Sequence, residues 1–283
     1  MILVMGASSS IGQELVKRLS SKGAEFRAGY RTPAQAADAE KQGVAPVLLD
    51  YAEPDTLKAA LDGADKLFVV SPPRPNLEEL ETNVVDAAKD AGIKHFVKLS
   101  VWGAEGGEFK FARDHRAVEK KIEASGLPHT FLRANGFMQN MLTSAASIKS
   151  QGAFYLPAGD ARVSEIDVRD IASVAAAVLT EPGYEGAAYE LGGPEALSNN
   201  DRAGILSEVL GKPISYVSLP DVEWKAAAMA AGLPEWSANG IIELMHYYKE
   251  GKAEAVSPAV EQVTGKKPIS FRQFVEDNAG AWR

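Results

Sequence analysis

Two hydrophobic patterns alternate through the first half of the chain: short runs of β-branched and large apolar residues, and stripes at helical spacing that stop at glycine. Ile2 to Met5 is the first run and predicts a strand. The stripe Ile11, Leu15, Val16 and Leu19 predicts a helix, closed at Lys22-Gly23 because glycine takes the left-handed cap conformation freely. Phe26 to Tyr30, Val47 to Leu49, Leu67 to Val70, Phe96 to Leu99 and Thr130 to Leu132 continue the strands. Among the intervening helices, Glu53-Pro54-Asp55 opens one that carries Leu57, Ala60 and Leu61 to Gly63, since proline is tolerated in a first helical turn. Asn76 followed by Glu79 reads as a capping box for a helix with Leu77, Leu80, Val84 and Ala88 inward. Another helix covers Ala112 to Ala124 and ends at Ser125-Gly126. Such alternation predicts a parallel sheet with crossover helices.

After Arg133 the rhythm changes. A helix is expected over Met138 to Ser150, and Ala153 to Arg162 no longer follows the strand-then-helix spacing. Glu165 to Val168 and the apolar helix Ile171 to Leu179 are read as returning to the sheet, Tyr189 to Pro220 as strand, helix, strand, and Lys225 to Ala231 as helix. The expected fold is α/β: a Rossmann-type doubly wound parallel sheet with a smaller C-terminal α/β substrate domain. Residues 1–152 would form the dinucleotide-binding domain with 163–181 returning to it, 183–283 the substrate-side domain, and 153–162 the lining of a cleft.

Composition narrows the function classes. With 283 residues, 46% hydrophobic and 24% charged, the chain is an ordinary globular protein of one large or two packed domains. Thirty basic against 38 acidic residues give a net charge of −8, which repels polyanions and speaks against nucleic-acid binding. No cysteine is present, so disulfides and thiolate metal sites are excluded, and His95, His129 and His246 are too scattered to suggest a metal centre. Met1 to Met5 is too short and lacks the cationic flank of a signal peptide, and no apolar run approaches a membrane span. The expectation is a soluble, cytoplasmic protein, monomeric or homodimeric, with no nucleic-acid or membrane partner.

The chemistry begins at Gly6-Ala7-Ser8-Ser9-Ser10-Ile11-Gly12, which follows a strand and opens a helix. Gly6 permits a tight turn, Gly12 close helix-to-sheet packing, and free N–H groups at the helix start suit a pyrophosphate. Ser9 replaces the usual middle glycine; its hydroxyl could bond a phosphate oxygen, although the backbone then approaches less closely. Read alone, the motif is also compatible with a plain strand-to-helix turn. Cofactor choice is set at the end of the second strand, where a carboxylate would bind the ribose hydroxyls of NAD. Gly29-Tyr30-Arg31-Thr32 has none, and Arg31 offers a planar cation for a 2′-phosphate or is a solvated surface residue. Asp50 and Tyr51 after the third strand are candidate adenine contacts, Asp50 equally a turn residue.

With these residues and the stretches His115-Arg116-Ala117-Val118-Glu119 and Ser125-Gly126-Leu127-Pro128-His129-Thr130-Phe131-Leu132-Arg133, the chain resembles the atypical short-chain dehydrogenases of the NmrA-like group. Within it the azoreductase, triphenylmethane reductase and quinone oxidoreductase branch is most similar. Gly136-Phe137-Met138-Gln139-Asn140, Gly152 to Tyr155 and Ile166 to Ala172 extend the match over nearly the whole chain. The resemblance implies NADP(H), with NAD(H) as a second cofactor, and an aromatic or quinone-like substrate. It also places Val70, Ser71, Pro72, Leu99, Ser100, Asn135 and Phe137 at the nicotinamide end.

Typical members of the wider superfamily pair a tyrosine acid with a lysine four residues on. No tyrosine lies between Tyr51 and Tyr155, and the one match in spacing, Tyr248 with Lys252, falls in the C-terminal region and is read as chance. Chemistry that must deprotonate an alcohol is thereby disfavoured. Hydride transfer to an electron-poor quinone, azo or other conjugated aromatic acceptor makes a weaker demand. Two catalytic candidates remain. Ser100 ends the fifth strand, as a catalytic hydroxyl or a polar terminus. His115 is one helical turn from Glu119, a pairing that would orient the imidazole and raise its pKa, unless it is a packed histidine at a helix–sheet seam. The expected activity is an NAD(P)H-dependent reductase; the alternative is a non-catalytic NADP(H) sensor acting through a protein partner.

Overall fold

The computed structural model describes residues 1–283. The first stretch runs β1 (Ile2–Val4), α1 (Ser10–Ser21), β2 (Phe26–Tyr30), α2 (Pro33–Lys41), β3 (Pro46–Leu48), α3 (Pro54–Leu61), β4 (Lys66–Val69), α4 (Leu77–Asp90), β5 (His95–Val101), α5 (Lys110–Ser125) and β6 (His129–Ala134). A 3-10 turn (Met138–Ser144) leads to α6 (Ala145–Gln151), β7 (Ala153–Leu156), β8 (Arg162–Val163), α7 (Val168–Thr180), β9 (Ala187–Leu191), β10 (Leu197–Ser198), α8 (Asn199–Leu210) and β11 (Ser215–Ser218). Four helices follow: α9 (Asp221–Ala230), α10 (Glu235–Lys249), α11 (Ala259–Thr264) and α12 (Phe271–Asp277).

The main sheet has the order β3-β2-β1-β4-β5-β6-β9, and β2, β3, β4 and β5 join it through parallel pairings. The chain winds outward from β1 to β3, then returns across β1 to β4. This reversal leaves a crevice beyond the carboxyl ends of β1 and β4, where open α/β sheets bind ligands. Leu3, Met5, Leu67, Val69 and Phe96 share one face with α3, α4 and α5, through Leu61, Val84 and Ile122 among others. On the opposite face α1 packs on α7, whose Ile171, Val174, Ala175 and Val178 have no exposed surface. Covering both faces explains why these strands read as continuous apolar runs rather than alternating ones.

Two compact units divide the chain: Met1–Val101, Asp114–Arg133 and Val168–Tyr189 in the first, and Trp102–Arg113, Ala134–Asp167 and Glu190–Arg283 in the second. The expected boundary at 152 therefore differs from the observed division, which assigns 134–152 to the second unit. In that unit β7 pairs with β11 in parallel and β8 with β10 antiparallel, over a core of Met138, Phe154, Leu206, Phe271, Phe274 and Trp282.

Several local expectations change. α2 is absent from the sequence reading because only Ala39 of it is buried, so no apolar stripe marks it. Asn76 stands at the start of α4 but its side chain makes no capping hydrogen bond, its backbone (φ −106°, ψ 31°) lying outside the extended geometry a cap needs. Residues 165–168 form no strand, only a single bridge between Phe137 and Ile166. β9 instead joins the main sheet beside β6. No helix is long and apolar enough to cross a membrane.

Gly12 gives a sharp test, because a Cβ there would stand 2.3 Å from the Gly6 carbonyl oxygen and 2.7 Å from the Ala7 Cα. At an ordinary helical position alanine stabilises by about 1 kcal/mol relative to glycine. Gly12→Ala should instead destabilise by about 2 kcal/mol through overpacking, read as a lower urea midpoint. A raised midpoint would refute the close approach.

Candidate functional site

The turn between β1 and α1 is built for an anion. Gly6 adopts φ +75°, and a Cβ on it would lie 2.4 Å from the Val70 carbonyl oxygen, so only glycine lets β1 and β4 close here. Ser9 caps α1: its hydroxyl accepts the Gly12 N–H at 3.0 Å and donates to the Gly6 carbonyl at 2.8 Å. Its proton is thereby committed inside the protein, which corrects the expectation that Ser9 donates to a phosphate. The N–H groups of Ser10 and Ile11, the first two of the helix, make no hydrogen bond within the protein and point along the positive end of its dipole. Ser8 and Ser10 are exposed beside them. This backbone fits the pyrophosphate of a dinucleotide.

Beyond the turn opens a cavity of about 200 Å³. Gly6, Ser8, Arg31, Asp50 and Tyr51 line it, together with Val70, Ser71 and Pro72, which the resemblance had placed at the nicotinamide end. Gln35, Leu49, Arg74, Leu77 and Leu80 also line it and were not foreseen. Its volume is below the range of about 300–1,000 Å³ typical of whole-ligand pockets, and suits the adenosine half of a dinucleotide. Leu49, Leu77, Leu80 and the Tyr51 ring supply apolar walls. The Tyr51 hydroxyl donates to the Val70 carbonyl at 3.2 Å, and burial, reinforced by the Glu81 charge, holds its pKa above the ordinary phenol value. The Asp50 Oδ1 accepts the Ala52 N–H at 3.0 Å in a turn, and the residue also lines the cavity. Arg31 is exposed and forms no ion pair, leaving its guanidinium free for a phosphate.

Further along the sheet is a buried polar network. Glu119, with no exposed surface, receives two hydrogen bonds from Arg133 (Nε to Oε1 3.0 Å, Nη2 to Oε2 2.8 Å), one from Arg116 at 3.2 Å and one from the Ser100 hydroxyl at 2.7 Å. The Ser100 proton is thus used to hold Glu119, and Leu99 beside it is buried. Glu119 is not the partner of His115, contrary to expectation. Burial, with the positive charge of Lys98 second, drives the His115 pKa well below the usual imidazole value, the opposite of the expected rise. Its Nδ1 is buried without a hydrogen-bond partner. Lys98 itself is wholly buried and ion-paired with the equally buried Glu81, one of whose oxygens has no partner. Two signals mark this pair in the sequence: a lysine inside the apolar run Phe96 to Leu99, and a glutamate in register with Leu77, Val84 and Ala88 on an inward helix face.

Asn135 and Phe137 belong to the second unit. The Asn135 amide donates to Ser164 Oγ at 3.0 Å and the Ala253 carbonyl at 2.9 Å, while its oxygen accepts the Gly136 N–H at 2.9 Å. Phe137 bridges to Ile166 through its backbone.

An anion-ready turn at the switch point of a doubly wound parallel sheet places the protein in the Rossmann dinucleotide-binding class. More narrowly, the chain belongs to the NmrA-like family, whose model matches residues 1–275. It is 38% identical over 283 residues to an NAD(P)H azoreductase of Xenophilus azovorans, spanning 100% of this chain and 99% of that protein. An NADPH-dependent quinone oxidoreductase from Escherichia coli, solved in complex with NADPH, superposes with a TM-score of 0.91 at 28% identity, over 99% of this chain and 100% of that one. A Citrobacter triphenylmethane reductase complexed with NADP(H) gives a TM-score of 0.87 at 28% identity, over 98% and 99%.

Two imidazoles, His95 buried and His115 half-buried, carry a pH signature. His95 and His115 both have folded pKa values lowered from 6.5, chiefly by burial, so the unfolded chain takes up protons first as pH falls. Stability should be full above about pH 7 and decline as pH drops through about 6.5. Asp65, held at about 2 mainly by its hydrogen bond from Lys94, titrates far below that window. Urea midpoints across the window should fall less in His115→Gln than in the parent, and identical pH profiles would contradict a neutral imidazole.

Proposed function

We propose that the protein is an NADPH-preferring reductase that passes hydride to a quinone-like, azo or other conjugated aromatic acceptor. The observation that carries this reading is the cavity beside the glycine turn, where no carboxylate ends β2 and the unpaired Arg31 stands in its place. The named relatives support both the cofactor and the acceptor class. When bound, the nicotinamide supplies the hydride.

The chain's own residues bind and orient. Ser10 and Ile11 N–H groups take the pyrophosphate, Arg31 the 2′-phosphate, and Leu49, Tyr51, Leu77 and Leu80 enclose the adenine. Asp50 is suited to the adenine amino group or a ribose hydroxyl, since its remaining oxygen is a hydrogen-bond acceptor. His115, neutral near pH 7, serves as a hydrogen-bonding group rather than a cationic acid. Ser100 acts through Glu119, as a positioning residue for the Glu119–Arg133 pair.

The reading without a tyrosine–lysine dyad is supported by the surroundings of Tyr248 and Lys252. The Tyr248 phenol is buried and raised above its ordinary pKa by that burial, with the Glu165 charge second. The Lys252 ammonium is ion-paired with Glu108 and Glu250. The charges that act on the Tyr248 phenol are those of Glu165 and Arg202, not that of Lys252. An acceptor that takes its proton from water needs no such dyad.

Two measurements test the function. NADPH oxidation should proceed with at least one member of a panel of quinones and azo dyes; tight NADPH binding with no turnover of any acceptor would leave the sensor reading instead. Arg31→Ala should weaken NADPH binding by about tenfold and leave NADH binding within about twofold, as expected for one charge-assisted contact to phosphate. Equal losses for the two cofactors would remove Arg31 from the 2′-phosphate.

A further inference from the structure

A second arginine faces the same cavity. Arg74 lies in the loop between β4 and α4, and Arg31 in the loop after β2, so the two guanidiniums reach the cavity from the two sides of β1. Neither makes an ion pair or a side-chain hydrogen bond within the protein, whereas Arg18, Arg133, Arg202 and Arg272 all do. Arg27, Arg113, Arg116 and Arg162 are held as well, so two free guanidiniums on one cavity stand apart from most of the other arginines. The loop is also stiff: Pro72, Pro73 and Pro75 surround Arg74, each fixing φ near the extended value. A guanidinium on a preset backbone loses less entropy when a ligand immobilises it. Asp50 is the opposing charge in the cavity, with one oxygen already held by the Ala52 N–H, so an anion must sit on the arginine side.

Resting on the NADPH reading above, we infer that Arg74 is a second phosphate ligand. With Arg31 it forms a two-guanidinium clamp that selects adenine dinucleotides bearing a phosphate on the adenosine ribose. Two planar forks can share the oxygens of one phosphate dianion, giving charge-assisted hydrogen bonds from both sides. The clamp leaves the pyrophosphate to the helix backbone, so its loss separates the two cofactors instead of weakening both.

The experiment measures dissociation constants of NADPH, NADH, adenosine 2′-monophosphate and adenosine 5′-monophosphate for the full chain and for Arg74→Ala, Arg74→Lys, Arg31→Ala and the double alanine variant. Arg74→Ala is expected to weaken NADPH and the 2′-monophosphate by about tenfold and NADH by less than about twofold. Arg74→Lys, which keeps the charge but not the fork, should fall between, and the double variant should bind both dinucleotides alike. No loss with Arg74→Ala, or equal losses for NADPH and NADH, would overturn the clamp; the latter would assign Arg74 to adenine or pyrophosphate. If the unaltered protein binds NADH as tightly as NADPH, the NADPH reading itself fails, a result distinct from failure of Arg74 alone.

Discussion

Everything at the nucleotide end depends on how closely β1, β4 and α1 approach one another. Gly6 sits where a Cβ would strike the Val70 carbonyl, and Gly12 where one would strike the Gly6 carbonyl. Without side chains at these two points the strand can turn within a few residues into a helix whose first N–H groups remain unpaired. The same approach brings the end of β4 beside the end of β1, so that loops from β2, β3 and β4 converge on one cavity. Backbone proximity, rather than any particular polar side chain, leaves these N–H groups without a partner at the start of the helix. The Ser9 hydroxyl serves this geometry by tying Gly6 to Gly12, a structural use of a residue whose type alone suggests a ligand contact.

Deeper in the sheet, charge is handled by pairing. Glu119 and Arg133 satisfy one another with Ser100 and Arg116, and Lys98 is matched by Glu81. Unpaired charges in these positions would be costly, and paired ones fix which way β5, β6, α4 and α5 face. Lys98 has a second effect, because its charge and the burial around His115 both disfavour the imidazolium. The histidine for which the sequence suggests a raised pKa is therefore held neutral. Hydride transfer to an electron-poor acceptor is compatible with such a site, since its ring can orient an acceptor oxygen or nitrogen without giving up a proton.

Most of the sheet is legible from the chain because its strands are buried on both faces, and continuous apolar runs ended by turn residues leave few alternatives. α2 escapes detection since it buries little, and the ends of β5 and β6 are hidden by His95, Ser100 and Arg133, polar residues that the strands tolerate only through distant partners. The change of rhythm after Arg133 falls where the second unit resumes at Ala134, whereas residues 102–113 carry no local signal and their membership is set by what they pack on. Of the candidate residues, Gly6 and Ser8 from the glycine turn, Arg31 from the β2 end and Asp50 and Tyr51 from the β3 end line one cavity. Arg74 and Gln35 were missed because nothing in their own neighbourhood encodes the distance to Arg31.

The sequence by itself determined the doubly wound architecture, the glycine turn at residue 6 and the cation at residue 31, because each follows from short-range rules: periodicity, backbone permission and the chemistry at a strand end. Tertiary structure alone decided which partner each polar residue has. Glu119 lies one helical turn from His115 yet bonds Arg133, Arg116 and Ser100, and the charge that acts on His115 comes from Lys98 on a neighbouring strand. Charge and hydrogen bonding act through space over a few ångströms, and the chain separations that supply those neighbours exist only once the sheet has closed.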